Sequence, residues 1–266
     1  MFKTRLLSGI VLVILAVLII RSGGYVTLFS LLGISLVGMF ELYRVFKLEK
    51  TSLAYISYAM AVIFYISELF GGFIDPMALV MLFLILLMFA YVFTYPKFKA
   101  KDVMAIFFGM FYVAVMLSYV YQIRVLESGV YLAFLIFICS WGCDTCAYCV
   151  GVLFGKHKMA PVLSPKKSIE GAVGGVVGTA LLTVIYSLIF RVQMGLETRE
   201  IIILAVISAI AGLISMVGDL TASAIKRNYD IKDYGNLIPG HGGIMDRFDS
   251  MMITAPIIYY LAVYFL

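Results

Sequence analysis

The richest set of chemistry-bearing side chains lies between Ser223 and Asp249. It holds the bases Lys226, Arg227, Lys232 and Arg247, the acids Asp230, Asp233, Asp246 and Asp249, and the run Pro239-Gly240-His241-Gly242-Gly243. This mixture suits a Mg²⁺-bound polyphosphate. Lys and Arg neutralise phosphate charge, Asp offers hard oxygen to the cation, and glycines without Cβ atoms let backbone N–H groups approach phosphate oxygens. A solvated loop would account for the charge but not for the combination.

Asp219 stands one turn before this block. At about 100° per residue, Gly212, Ser215, Asp219, Ser223 and Lys226 form a narrow polar stripe on an apolar helix. An ionised carboxylate against lipid costs about 2.5–3.5 kcal/mol, so the stripe must face protein or a cavity. A cation would offset that cost, and so would a structural Asp–Lys pair. Upstream, WGCDTCAYCVG places Asp144 within an apolar run, with Tyr148, Gly151 and Gly155 on its face. Cys139, Cys143, Cys146 and Cys149 mimic a metal string, but thiolates on successive turns of one straight helix cannot converge on an ion, and they read as small apolar fillers. The segment from Gly155 to Gly171 contains Lys156, Lys158, Lys166 and Lys167. There Ser164-Pro165 reads as an N-cap followed by a helix-opening proline, which would set Lys166 and Lys167 beside a positive helix end ready for a phosphate or an anionic headgroup. Gly171, Gly174, Gly175 and Gly178 have small-xxx-small spacing, which favours close helix approach over a nucleotide cradle.

These residues need a scaffold, and composition dictates its kind. Of 266 residues, 64% are hydrophobic and 13% charged, with a mean hydropathy of +1.08, too few polar groups to wet a soluble domain. Apolar runs without period-2 alternation exclude an outer-membrane barrel and predict nine helices. They begin with Leu6 to Ile20 and continue at 25–43, 53–70, 76–95, 103–123, 130–154, 171–190, 201–222 and 246–266. The first follows Lys3 and Arg5 like a secretory signal, but no A-x-A-like cleavage site follows, so it is expected to be retained. With the N-terminus inside and the C-terminus outside, all of the 20 basic residues except Arg21, Arg124, Arg191 and Arg199 fall on the cytoplasmic side. The fold expected is an all-α polytopic bundle. Residues 1–125 supply five helices with little visible chemistry, and 126–266 supply four catalytic helices with cytoplasmic loops 155–170 and 223–249.

The chain resembles the phosphatidate cytidylyltransferase, or CDP-diacylglycerol synthase, family. Ser223, Lys226, Arg227, Lys232, Asp233, Gly235, Pro239, His241, Gly242, Gly243, Asp246, Arg247 and Asp249 match that family's C-terminal signature at its spacing. Asp144-Thr145-x-Ala147-Tyr148 and Ser164-Pro165-x-Lys167-Ser168-x-Glu170-Gly171 look like its two upstream blocks, with Ser168 where Thr is common and Ile169 where an aromatic is common. The first five helices match only in hydropathy.

The resemblance implies a Mg²⁺-dependent transfer of CMP from CTP to phosphatidic acid in the cytoplasmic membrane, within phospholipid biosynthesis. It assigns Asp219 and Asp246 to metal, with Asp249 as a second ligand or orienting group, and the surplus of carboxylates leaves room for a second cation. Lys226, Arg227, Lys232 and Arg247 would hold the triphosphate, with Ser223, Gly242 and Gly243 lining it. Lys167, Ser164 and the 156–158 segment would meet phosphate or headgroup. His241 would hydrogen-bond phosphate or protonate the leaving group, with a structural loop role as its alternative, and Asp144 would line the site. The partners implied are CTP, phosphatidic acid and the bilayer, without nucleic acid, and the glycine-rich helix leaves room for a homodimer. Competing readings are a lipid or polyprenol kinase, a cytidylyltransferase for another lipid phosphate and, in a different class, a transporter, which would more often show the internal repeat that is absent here.

Overall fold

The computed structural model describes residues 2–265, with side chains from Leu7 onward. The side chains of Lys3, Arg5 and Leu6, and all of Leu266, lie outside the described residues. The main helices are α1 (Phe2–Ser22), α2 (Gly24–Val45), α3 (Ser52–Leu69), α4 (Pro76–Phe93), α5 (Ala100–Arg124), α6 (Gly129–Phe154), α7 (Ile169–Ile189), the single turn α8 (Arg191–Met194), α9 (Thr198–Asn228) and α10 (Met245–Phe265). A hairpin of β1 (Lys158–Ala160) and β2 (Ser164–Ser168) sits between α6 and α7.

Among the described residues, eight helices are long and apolar enough to cross a bilayer, and the described part of α1, Leu7–Ser22, is a shorter apolar helix. All nine predicted runs are helical, because every backbone N–H and C=O in hydrocarbon must be satisfied within its own segment. Local chemistry sets several ends. Thr51 Oγ1 accepts from Ala54 N at 3.3 Å at the start of α3, and Asp75 Oδ1 accepts from Ala78 N at 3.0 Å beside Pro76 at the start of α4.

One expectation fails at such an end. Ser164-Pro165 does not cap a helix: Ser164–Ser168 is β2, paired antiparallel with β1, and the cap of α7 is Ser168, whose Oγ accepts from Gly171 N at 3.1 Å. Pro165 has the fixed φ that a short edge strand also tolerates, so its sequence signal was ambiguous between the two.

The chain forms two compact units, 1–121 with 233–247 and 122–232 with 248–266. In the first, buried tyrosines tie helices together through their hydroxyls. Tyr43 Oη donates to Ile106 O and bonds Ser57 Oγ, both at 2.7 Å, and its ring fills the space beside Gly109 where a Cβ would overlap it. Tyr65 Oη bonds Ser35 Oγ at 2.8 Å. Such hydroxyls supply directional bonds where lipid provides no hydrophobic drive.

In the second unit α6, α7 and α9 pack through small residues. Cys146 lies against Gly178, where a Cβ would come within 2.6 Å of its sulfur. Cys143 fills the gap left by Gly175 and Gly212, and its thiol reaches Gly212 O at 3.4 Å. Cys139 and Cys143 are buried and free, as small apolar fillers should be. A Cβ on Gly174 would overlap every carbon of the Val150 side chain. Gly174→Ala is therefore expected to destabilise the protein by about 1–3 kcal/mol, read as a lower denaturation midpoint in detergent. An unchanged midpoint would show that α6 and α7 are not in such close contact.

Candidate active site

In the second unit, a cleft of about 570 Å³ lies between α6, the hairpin, α7 and α9. Asp144, Tyr148 and Gly151 of α6 line it from one face, as the helical spacing predicts, and Asp219 of α9 enters from another. A π-helical turn at Ile138–Gly142, ending two residues before Asp144, inserts an extra residue into α6 and resets the face presented from there on. No sequence signal announced that turn. The hairpin contributes Lys158, Ser164, Lys166 and Lys167. The remaining lining, including Ala147, Val152, Met159 and Met216, is mainly apolar.

Lys167 Nζ forms an ion pair with Asp219 Oδ2, and both side chains are about three-quarters buried. The pair joins β2 to the polar stripe of α9, on which Gly212 and Ser215 are buried and Ser223 and Lys226 partly so. Asp249, near the start of α10, is only 6% exposed, and its electrostatic neighbours are the carboxylates of Asp219 and Asp144 and the ammonium of Lys226. Three acidic side chains, Asp144, Asp219 and Asp249, thus share a region with the ammonium groups of Lys167 and Lys226, and Lys158 and Lys166 line the same cleft.

Carboxylate oxygens are the hard donors Mg²⁺ selects. Among the described residues, no three His, Cys, Asp or Glu side chains close around one ion. Mg²⁺ commonly takes one or two carboxylates and completes its octahedron with water and substrate phosphate, so this donor set fits it.

The hairpin's position is set by a residue whose role the spacing did not reveal. Glu170, in the first turn of α7, accepts hydrogen bonds from Lys156 N at 3.1 Å and His157 N at 3.2 Å, and from the His157 ring at 2.6 Å. This fastens the chain entering β1 to the same helix end that Ser168 caps. Lys158 reaches the cleft, whereas Lys156 is exposed and outside its lining. Arg227 and Lys232 are exposed at and beyond the end of α9, and Arg227 Nη1 reaches Ile231 O at 3.4 Å.

His241, Gly242, Gly243, Asp246 and Arg247 belong to the first unit. There, Ile238-Pro239-Gly240-His241 makes a tight turn closed by His241 N donating to Ile238 O at 2.9 Å, with Gly240 at φ +76°, the left-handed value a type II turn requires. Asp246 Oδ2 accepts from Tyr234 N at 2.8 Å and Gly243 N at 2.9 Å, so this carboxylate folds the loop back on the start of α10. The Gly243 N–H is therefore given to a carboxylate of the protein itself. Ser8 of α1 donates to Pro239 O at 3.0 Å and bonds His241 Nδ1 at 2.8 Å. A hydroxyl has one proton, so His241 Nδ1–H is the donor in the second bond and Nε2 is the acceptor of the neutral ring. Donation from Nε2 to a leaving group requires the imidazolium form.

Two side chains from α2 escaped the sequence reading, which found little chemistry in the first five helices. Glu41 is 4% exposed and its Oε2 accepts from Met245 N at 2.9 Å. Arg44, one turn on, donates to Tyr234 O at 2.6 Å.

Membrane-spanning helices that bring carboxylates, several lysines and one Lys–Asp ion pair to a cleft define an integral membrane protein built to handle a strongly charged substrate. The model of the family described as "Cytidylyltransferase family" matches residues 3–265, and the chain belongs to that family. It is similar to proteins named phosphatidate cytidylyltransferase: 32% identical to that of Bacillus subtilis (strain 168), with 99% of this chain and 98% of the relative covered. The proteins of that name from Staphylococcus haemolyticus (strain JCSC1435) and Staphylococcus aureus (strain COL) are each 30% identical, over 98% of this chain and 99% of theirs.

Proposed function

We propose that this multi-pass membrane enzyme transfers CMP from CTP to phosphatidic acid, forming CDP-diacylglycerol and pyrophosphate, in the cytoplasmic membrane with its polar loops on the cytosolic side. The observation that carries the reading is the cleft in which Lys167 meets Asp219 while Asp144 and Asp249 stand nearby. A lipid phosphate monoester has a second pKa of about 6, so its oxygen is largely a dianion near neutral pH and needs little help from a general base. It attacks the α-phosphorus, one P–O bond forms, the α–β anhydride breaks, and pyrophosphate leaves.

The work left to the protein is orientation and charge neutralisation. Lys167 and Lys166, with Ser164, hold phosphate oxygens at the hairpin. Lys226, Arg227 and Lys232 counter the triphosphate and the departing pyrophosphate, and Arg247, in the other unit, carries its own assignment as a phosphate contact. Asp219 and Asp249 are the residues assigned to hold Mg²⁺, with Asp144 beside them, and Asp246 carries its own assignment as a cation ligand. A bound Mg²⁺ would supply neutralisation of the phosphate oxygens that gain charge. The apolar lining from Ala147, Val152 and Met216 suits a substrate with a lipid portion.

Detergent-solubilised protein given labelled CTP is expected to form a CDP-lipid only when phosphatidate and Mg²⁺ are both present, and to stop on addition of EDTA. Turnover undiminished by EDTA would overturn the metal assignment. Transfer of the γ-phosphoryl group of CTP to a free lipid alcohol, giving a lipid phosphate and CDP, would replace this reading with that of a kinase.

A further inference from the structure

Glu41 is the one acid of α2, a helix that reads as a membrane span, and its carboxyl group is enclosed by the loop preceding α10. It accepts the Met245 amide at 2.9 Å. A Cβ on Gly235 or on Gly243 would collide with its carboxylate oxygens, and the two glycines lie back to back, the Gly243 Cα standing 3.2 Å from where the Gly235 Cβ would be. One turn along α2, the Arg44 guanidinium takes Tyr234 O, the carbonyl of the residue whose N–H goes to Asp246. The two ends of the loop are thus gripped from one face of α2: Tyr234 and Gly235 at its start, Gly243 and Met245 at its finish.

A buried carboxylate is costly to place in a membrane helix unless strong hydrogen bonds repay it. Bonds from backbone N–H groups to a charged acceptor are of that strength. Packing alone would be served better by an apolar side chain, so the acceptor oxygen given to the Met245 amide points to a need for fixed backbone direction.

We propose that Glu41 is a positioning residue for the transfer reaction: its carboxylate, seated where Gly235 and Gly243 lack side chains, sets the path of residues 234–245 and hence the orientation of Asp246. This rests on the function proposed above. Glu41 touches neither nucleotide nor lipid; it acts through the loop. A misplacement of about 1 Å at a reacting group costs on the order of a hundredfold in rate, so a loosened loop should be felt in turnover.

The test compares Glu41→Ala and Glu41→Gln in the full-length protein, using CTP and phosphatidate. Gln keeps the size and an oxygen acceptor for Met245 N–H, whereas Ala keeps neither. Glu41→Ala is expected to lower kcat by about a hundredfold per folded molecule with KM for phosphatidate little changed, and Glu41→Gln to recover most of that loss. Equal activity in Ala and wild type, or a loss in Ala that only tracks the fraction of folded protein, would overturn the proposal.

Amide hydrogen exchange gives a readout that needs no turnover. Exchange at Gly243 to Met245 should accelerate by about tenfold or more in Glu41→Ala but not in Glu41→Gln, with α3 unchanged. Unchanged exchange in this loop would overturn the positioning role even if the protein proved to use another substrate. Wild-type protein that forms no CDP-lipid, yet shows the accelerated exchange in Glu41→Ala, would defeat the proposed reaction while leaving the positioning role standing.

Discussion

Asp219→Asn is expected to lower turnover by about two orders of magnitude or more, corresponding to roughly 3 kcal/mol of lost transition-state stabilisation, in a protein that remains folded. The substitution preserves shape and removes charge. In the structure Asp219 is ion-paired with Lys167 at the cleft, so its carboxylate holds the lysine in place and offers the hard oxygen that suits a cation. An amide does neither well. Lys167→Met provides the contrast. If Asp219 serves only as a structural partner of Lys167, both variants should lose stability alike and activity only in proportion. If it is also a cation ligand, Asp219→Asn should in addition require much more Mg²⁺ for half-maximal rate, whereas Lys167→Met should chiefly weaken phosphate binding and raise KM. Near-normal turnover in Asp219→Asn would remove this residue from the mechanism.

Asp246 should show the second large effect, and here two substitutions separate two roles. Its Oδ2 accepts both the Tyr234 and Gly243 amides. An Asn side-chain oxygen can accept the same two bonds, so Asp246→Asn keeps the loop while removing the charge. Asp246→Ala removes both. A ligand role predicts a loss of about two orders of magnitude in turnover for Asp246→Asn, with loop amide protection near that of wild type. A purely structural role predicts that Asn is nearly silent and that Ala alone is damaging. Measuring turnover and amide exchange on the same preparations distinguishes the two.

Much of this was legible in the chain because membrane helices are specified locally. About 20 apolar residues must become a helix in a bilayer whatever lies next to them, and the predicted runs are helical, eight of them among the described residues long and apolar enough to cross. The stripe from Gly212 to Lys226 and the face of Asp144, Tyr148 and Gly151 were readable for the same reason, since both follow from helical periodicity alone. The close-approach glycines of α7 were legible as well, because their spacing has few other uses.

Ser164-Pro165 misled because serine followed by proline suits a strand edge as well as a helix start, and only the pairing of β2 with β1 decides between them. The π-helical turn in α6 depends on what packs around it, and Ile138–Gly142 carries no local mark of it. Glu41 is the clearest case. A single acid near the end of an apolar helix reads as a span boundary until the fold brings Gly235, Gly243 and Met245 to it from about 200 residues away, and that long-range encounter is tertiary information.

By itself, then, the amino-acid order determined the class of protein, the helices and the roster of charged residues, because each depends on the period of a helix and the thickness of a bilayer. Only tertiary structure decided which charges are partners: Lys167 with Asp219, Asp246 with the loop's own amides, Glu41 with two glycines. Electrostatic and hydrogen-bond energies fall off over a few ångströms, and distances of that order between remote segments are set by packing rather than by sequence spacing.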